Sequence, residues 1–251
     1  MDVLSPYIWV GALLFCRIGT VLMLAPGWGE SAVPATFRLA AGLLATMALA
    51  PVLADQMPPP PAVLTDGLFL IVSEILVGLM MGAGARILMS GLQIGGSIIG
   101  ISSGLAMAQQ FDPMAGASGA VLGVFMSMTA LVLIMAAGIH RDMLQAAVDS
   151  YQLFRPGDPL PVGDAAQWEL GALSTAFKLG LQIAAPILVV ALIFNLAIGL
   201  VARLIPQVQI FFIAMPIQVM LGLSIMTFIL GGGLLVWLDT LGRYARLEGP
   251  F

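Results

Sequence analysis

Apolar residues along this chain come in long blocks, separated by short polar or proline-rich breaks. The blocks cover residues 7–24, 35–53, 64–109, 120–139, 173–200 and 208–238. Asp, Glu, Lys and Arg are absent from residues 87–111, 113–140, 179–202 and 204–238, and each gap exceeds the roughly 20 residues that cross a bilayer core. The pattern predicts an all-α membrane protein with about six apolar helical segments, arranged as hairpins with broken or kinked helices.

The breaks carry their own signals. Ala25-Pro26-Gly27-Trp28-Gly29 is a turn with a tryptophan of the kind that sits at a membrane interface. Pro58, Pro59, Pro60 and Pro61 fall in a proline-rich linker over residues 54–63, which cannot be helix there and is expected outside the membrane. Residues 64–109 are too many for one crossing, so a hairpin or a bend within 89–96 is expected. Residues 140–168 hold four of the thirteen acids and read as an aqueous polar loop with some helix in 141–151. Residues 239–251 form a short polar tail whose Arg243 and Arg246 favour the cytoplasmic side. Nothing divides residues 1–251 into separate domains, and no repeat of fixed period is visible.

Composition strengthens the membrane reading. Hydrophobic residues make up 60% of the chain and charged residues 9%, against about 25% charged in soluble domains. The net charge of -4 offers no basic surface for nucleic acid. One cysteine, Cys16, excludes an internal disulfide, and with the single histidine, His140, it leaves too few ligands for most zinc sites. No nucleophile elbow, phosphate-binding loop or dinucleotide fingerprint is present, so no enzyme and no cofactor is expected.

Three groups of residues stand out. Gly78 and Gly82, Gly91 and Gly95, then Gly96, Gly100 and Gly104 are spaced four apart, which puts them on shared helix faces where a second backbone can approach closely. They serve either packing within the chain or docking onto partner subunits. Arg17, Glu74, Arg86, Lys178 and Arg203 lie in or beside apolar runs, where a charge costs about 2.5–3.5 kcal/mol at a helix centre. Arg86 and Arg203 suit helix ends or ion pairs. Glu74 has about half a span on either side and calls for a partner such as Arg17 or Lys178; a proton relay would use the same residue types. Last, the loop around Ala106, Met107, Phe111, Asp112, Pro113 and Met114 lies between apolar blocks, flanked by Gly104 and Gly116, and offers flexible apolar side chains that could seal a passage.

Residues 199–216 read Gly-Leu-Val-Ala-Arg-Leu-Ile-Pro-Gln-Val-Gln-Ile-Phe-Phe-Ile-Ala-Met-Pro, with Pro206-Gln207 and then Pro216. Together with Arg17-Ile18-Gly19, Ala25-Pro26, Val33-Pro34, Arg38 and the Gly100 to Pro113 stretch, this run resembles the FliR family of flagellar export-gate proteins and their injectisome relatives. The resemblance is collinear over nearly the whole chain. It implies one copy assembled with FliP-like and FliQ-like membrane subunits, and an FlhB-like export switch protein, in the flagellar basal body of the bacterial inner membrane. Unfolded flagellar proteins would pass through the centre of that assembly, and the loop near residues 106–116 would act as a pore plug. Much of the complex would stand above the membrane plane. A virulence-type secretion subunit, an ion-coupled transporter and an intramembrane enzyme are the alternatives. A transporter should show matching halves with broken helices, and the enzyme a catalytic pair at depth; neither is visible in the sequence.

Overall fold

A computed structural model describes residues 4–105, 121–159, 162–205 and 210–248. All the regular structure among them is helical. The first apolar block is α1 (Leu4–Leu14), a π-helical turn (Phe15–Gly19) and α2 (Thr20–Leu24). Then come α3 (Ala35–Leu53), α4 (Leu64–Ser102), α5 (Val121–Ala137), α6 (Ile139–Leu153), α7 (Val162–Leu204) and α8 (Ile210–Ala245). Five helical stretches are long and apolar enough to cross a membrane, and α5 with α6 forms a pair bent by 70°.

Three expectations are corrected. The bend expected within residues 89–96 is absent: α4 runs unbroken for 39 residues. The break lies instead at Gly138, between α5 and α6, where a φ of +78° needs glycine. The helix expected in 141–151 is α6, but the segment around it is less of a loop than expected: α6 reaches Leu153 and the first turns of α7 take up the end of 140–168. The polar residues of α6 cover one face, while Met143, Ala146, Ala147, Ser150 and Tyr151 share the other and are buried. The tail at 239–251 is likewise helical as far as Ala245, with Leu241, Tyr244 and Ala245 buried. The proline linker is non-helical over residues 57–63. Trp9 Nε1 donates to Pro58 O at 3.2 Å, which ties the linker back to α1.

The chain forms two compact units. The first comprises Met1–Ile87, Leu133–Leu173 and Leu241–Phe251. Its core joins Val10, Leu14, Ile18 and Leu22 of the first block to Leu53 of α3 and Tyr151 of α6. The early part of α4 lies tightly against the first block: a Cβ on Gly78 would sit 2.6 Å from Arg17 O, and one on Gly82 2.5 Å from Leu24 Cβ.

The second unit comprises Leu88–Val132 and Ser174–Thr240. Here the later part of α4 meets α7 backbone to backbone. A Cβ on Gly91 would fall 2.5 Å from Ala176 O, one on Gly95 2.9 Å from Gly180 O, and one on Gly180 2.5 Å from Gly91 O. Gly96 meets Gly123 of α5 in the same way, at 2.5 Å from its Cα. Trp237 of α8 is fully buried and donates Nε1–H to Leu88 O at 2.9 Å. Gln218 Nε2 donates to Ser102 O, also at 2.9 Å, filling one of the carbonyls left open at the end of α4.

Candidate functional site

The most polar buried point of the first unit is Arg17, which projects from the π-helical turn at Phe15–Gly19. Such turns insert one residue into a helix and re-aim its side chains, and they recur at functional positions. Thr20 Oγ1 donates to Cys16 O at 2.5 Å, one turn back. Arg17 and Glu74 are each only 1% exposed. Arg17 Nε donates to Glu74 Oε2 at 2.7 Å and Nη2 to Oε1 at 2.8 Å, a bidentate pair.

The same guanidinium reaches α6. Nη1 donates to Ser150 Oγ at 3.0 Å, and Nη2 donates to Phe154 O, just beyond the end of that helix, at 2.8 Å. Its carbon lies 3.9 Å from the centre of the Tyr151 ring. Four of the five guanidinium N–H groups thus have acceptors, and an aromatic face covers the plane. One side chain fastens the first block, α4 and α6 together. A cleft of about 290 Å³, lined in part by Ser73, Glu74, Arg155 and Asp158, opens beside the pair.

Arg86 forms a second fastening on α4. Its Nε donates to Leu24 O at 2.7 Å and its Nη2 to Gly29 O at 2.6 Å. Those carbonyls lie at and just after the end of α2, where helix carbonyls lack internal partners. Glu30 is 3.6 Å from the same nitrogen. Arg86 therefore sits mid-helix on α4 and caps a different helix, rather than reaching out at its own end. Trp28 Nε1 donates to His140 O at 3.3 Å, so the single histidine sits beside this turn.

The remaining charged candidates are not brought to this site. Lys178 is exposed on α7 and has no ion pair among the described residues. Arg203 lies exposed in the last turn of α7, where a cation interacts favourably with the helix dipole. Among the glycines, Gly78, Gly82, Gly91, Gly95 and Gly96 press against this chain's own atoms. Gly100 is buried near the end of α4, and Gly104 ends the helix with a left-handed φ of +77°. Pro216 lies inside α8 and is exposed. Pro206 and Gln207, and the proposed plug residues Ala106, Met107, Phe111, Asp112, Pro113 and Met114, lie outside the described residues.

Two features were not singled out in the sequence. Ser150 and Tyr151 belong to the amphipathic face of α6, and their spacing with Met143, Ala146 and Ala147 was a usable signal. Glu169 follows Trp168 at the edge of an apolar block, where a single acid has no local pattern to mark it.

The described residues thus form apolar helices long enough to cross a membrane, tied together in the first unit by the buried Arg17 and the partly exposed Arg86. The family model described as bacterial export proteins, family 1, matches residues 8–243. The chain belongs to this family. The flagellar biosynthetic protein FliR of Caulobacter vibrioides is 40% identical to it over 244 residues, covering 97% of this chain and 96% of that protein. FliR of Escherichia coli is 30% identical over 224 residues, covering 89% and 83%, and FliR of Bacillus subtilis 28% over 212 residues, covering 82% and 80%. Export family members of this kind are membrane proteins of the flagellar export apparatus, and the apolar helices of this chain fit that setting.

Proposed function

We propose that this chain is a subunit of the flagellar type III export apparatus in the bacterial inner membrane, where it helps to form and seal the channel for unfolded flagellar proteins. The observation that carries this reading is the similarity to FliR over almost the full length of both chains. The fold supports it. Apolar helices of 39, 43 and 36 residues are long enough to line a channel through a membrane assembly.

FliP-like and FliQ-like membrane subunits are the proposed immediate partners, with an FlhB-like switch protein beside them. The C-terminus is proposed to lie on the cytoplasmic side, from Arg243 and Arg246 near the exit of α8. The loop at residues 106–116 is the proposed plug. Deleting the gene from its source bacterium should abolish flagellar filaments and secretion of filament subunits, and a plasmid copy should restore both. Normal filaments and swimming in the deletion strain would refute this assignment.

A further inference from the structure

One wall of the first unit is incomplete. α4 and the start of α7 border an apolar groove of about 420 Å³, with Leu79, Met80, Ala83, Ala165 and Ala166 among its lining. Among the described residues that line it, Glu169 alone is charged. Both Glu169 carboxyl oxygens are shielded from solvent and lack a well-formed hydrogen bond among the described residues. The Tyr244 phenol lies beside the carboxylate and is also 3.5 Å from Met80 O. A shielded carboxylate served by at most one shared, neutral donor is costly to leave so, and more costly if ionised.

The shape suits a helix. Leu76, Leu79, Met80, Ala83 and Ile87 make one stripe along α4, and Ala165, Ala166 and Glu169 make another along α7. Alanines at Ala83, Ala165 and Ala166 keep the floor low, as small residues do where membrane helices pack closely. Leu76 and Leu79 are 45% and 47% exposed, so this wall is half finished. The charge selects the occupant. A carboxylate in an apolar groove is complemented by a cation. A phospholipid headgroup would bring a phosphate with its ammonium, and none of the lining side chains is a cation that could receive it.

We propose that this groove receives an apolar helix of a partner membrane protein bearing one lysine or arginine, which pairs with Glu169. The proposal rests on the reading of this chain as one subunit of a membrane assembly. The test uses the full chain, co-expressed with the FliP-like and FliQ-like subunits of the same bacterium. Leu79 is replaced by the photoreactive residue benzoylphenylalanine, and complex yield is read on native gels. The expected result is a cross-link to one partner peptide with a Lys or Arg within a helical turn of the attachment point. Glu169→Lys should lower complex yield at least tenfold, and reversing the partner's basic residue to Glu should restore it.

Adducts to lipid alone, or to a peptide without a basic residue, would overturn the proposal. So would wild-type complex yield from Glu169→Lys. The melting temperature of each isolated variant in detergent checks that it folds. If Glu169→Lys does not fold, Glu169→Leu takes its place: it should also lower yield by leaving the partner's cation unpaired, and an unchanged yield would overturn the pairing. If the wild-type chain joins no complex with any of these partners, the subunit reading itself falls. If the wild-type complex forms and only the groove results fail, the pairing alone is wrong.

Discussion

At the scale of single residues, the chain spends its few charges on fastening. Arg17 and Glu74 sit in apolar surroundings, and each would be costly alone. Paired, with Ser150 and Phe154 taking two further donors, they form a network that uses four of the five guanidinium N–H groups. Breaking such a pair from one side leaves an uncompensated charge and costs about 3–5 kcal/mol, whereas replacing both members by apolar residues is often neutral. Glu74→Gln should therefore lower the melting temperature and the yield of assembled protein. The double change Arg17→Met with Glu74→Leu should recover most of the loss. A proton relay predicts the reverse pattern: Glu74→Gln assembling and melting like wild type, with secretion abolished. Melting in detergent and secretion assays on the same two variants separate the cases. The sequence allowed this pair to be anticipated as one of two options for Glu74, because a mid-span acid needs a cation. It gave no means of choosing Arg17 over Lys178, since that depends on which helices meet.

At the scale of elements, glycine explains both what was legible and what was not. The run from Gly91 to Gly96 looks like a weak point, because each glycine costs a helix about 1 kcal/mol relative to alanine. In the structure that run is unbroken helix within α4, and the missing side chains let Ala176 and Gly180 of α7 and Gly123 of α5 approach to contact distance. Close packing of backbones offsets the poor propensity. The real break, at Gly138, is marked in sequence only by one glycine at the junction between a wholly apolar run and the amphipathic face of α6. The loop and tail carry more helix than the sequence pattern suggests for one reason: polar residues on one face of a helix look like a polar segment unless the buried face is counted. Replacing Gly95 by Leu should force α4 and α7 apart, so native gels should show loss of folded protein and of complex. Ala at Gly11, whose added Cβ would meet nothing within 4 Å, should be tolerated and serves as the comparison. Equal yields from Gly95→Leu and Gly11→Ala would show that the stripe is not a contact. For the loop at 106–116, deletion of residues 107–114 should leave the complex assembled but leaky to small ions. Conductance equal to wild type at matched complex yield would make that segment a plain connector.

At the scale of the whole molecule, length and exposure have to be reconciled. At roughly 1.5 Å per residue, the 43 residues of α7 extend for about 65 Å, twice the roughly 30 Å of a bilayer core. Tilt absorbs some excess, but average tilts near 20° shorten a helix by only a few per cent. Yet Leu192, Ile193, Leu196, Leu200 and Leu204, on the later half of α7, are all more than 60% exposed in the single chain. Either lipid covers this face or other protein does. The family setting favours protein, since these relatives are parts of an export apparatus. The two covers can be told apart with a cysteine at Leu196, in a chain whose Cys16 is replaced by alanine; that change leaves the Cys16 carbonyl free to accept from Thr20 as before. A bilayer-soluble thiol reagent should label the cysteine when the chain is expressed alone. In the assembled complex, labelling should fall at least fivefold. A second cysteine, at Phe37 on the exposed face of α3, reports whether reagent reaches the sample equally in both cases. Undiminished labelling at Leu196 in the complex would mean that lipid, not a neighbouring subunit, covers α7, and that the partners must dock on other faces.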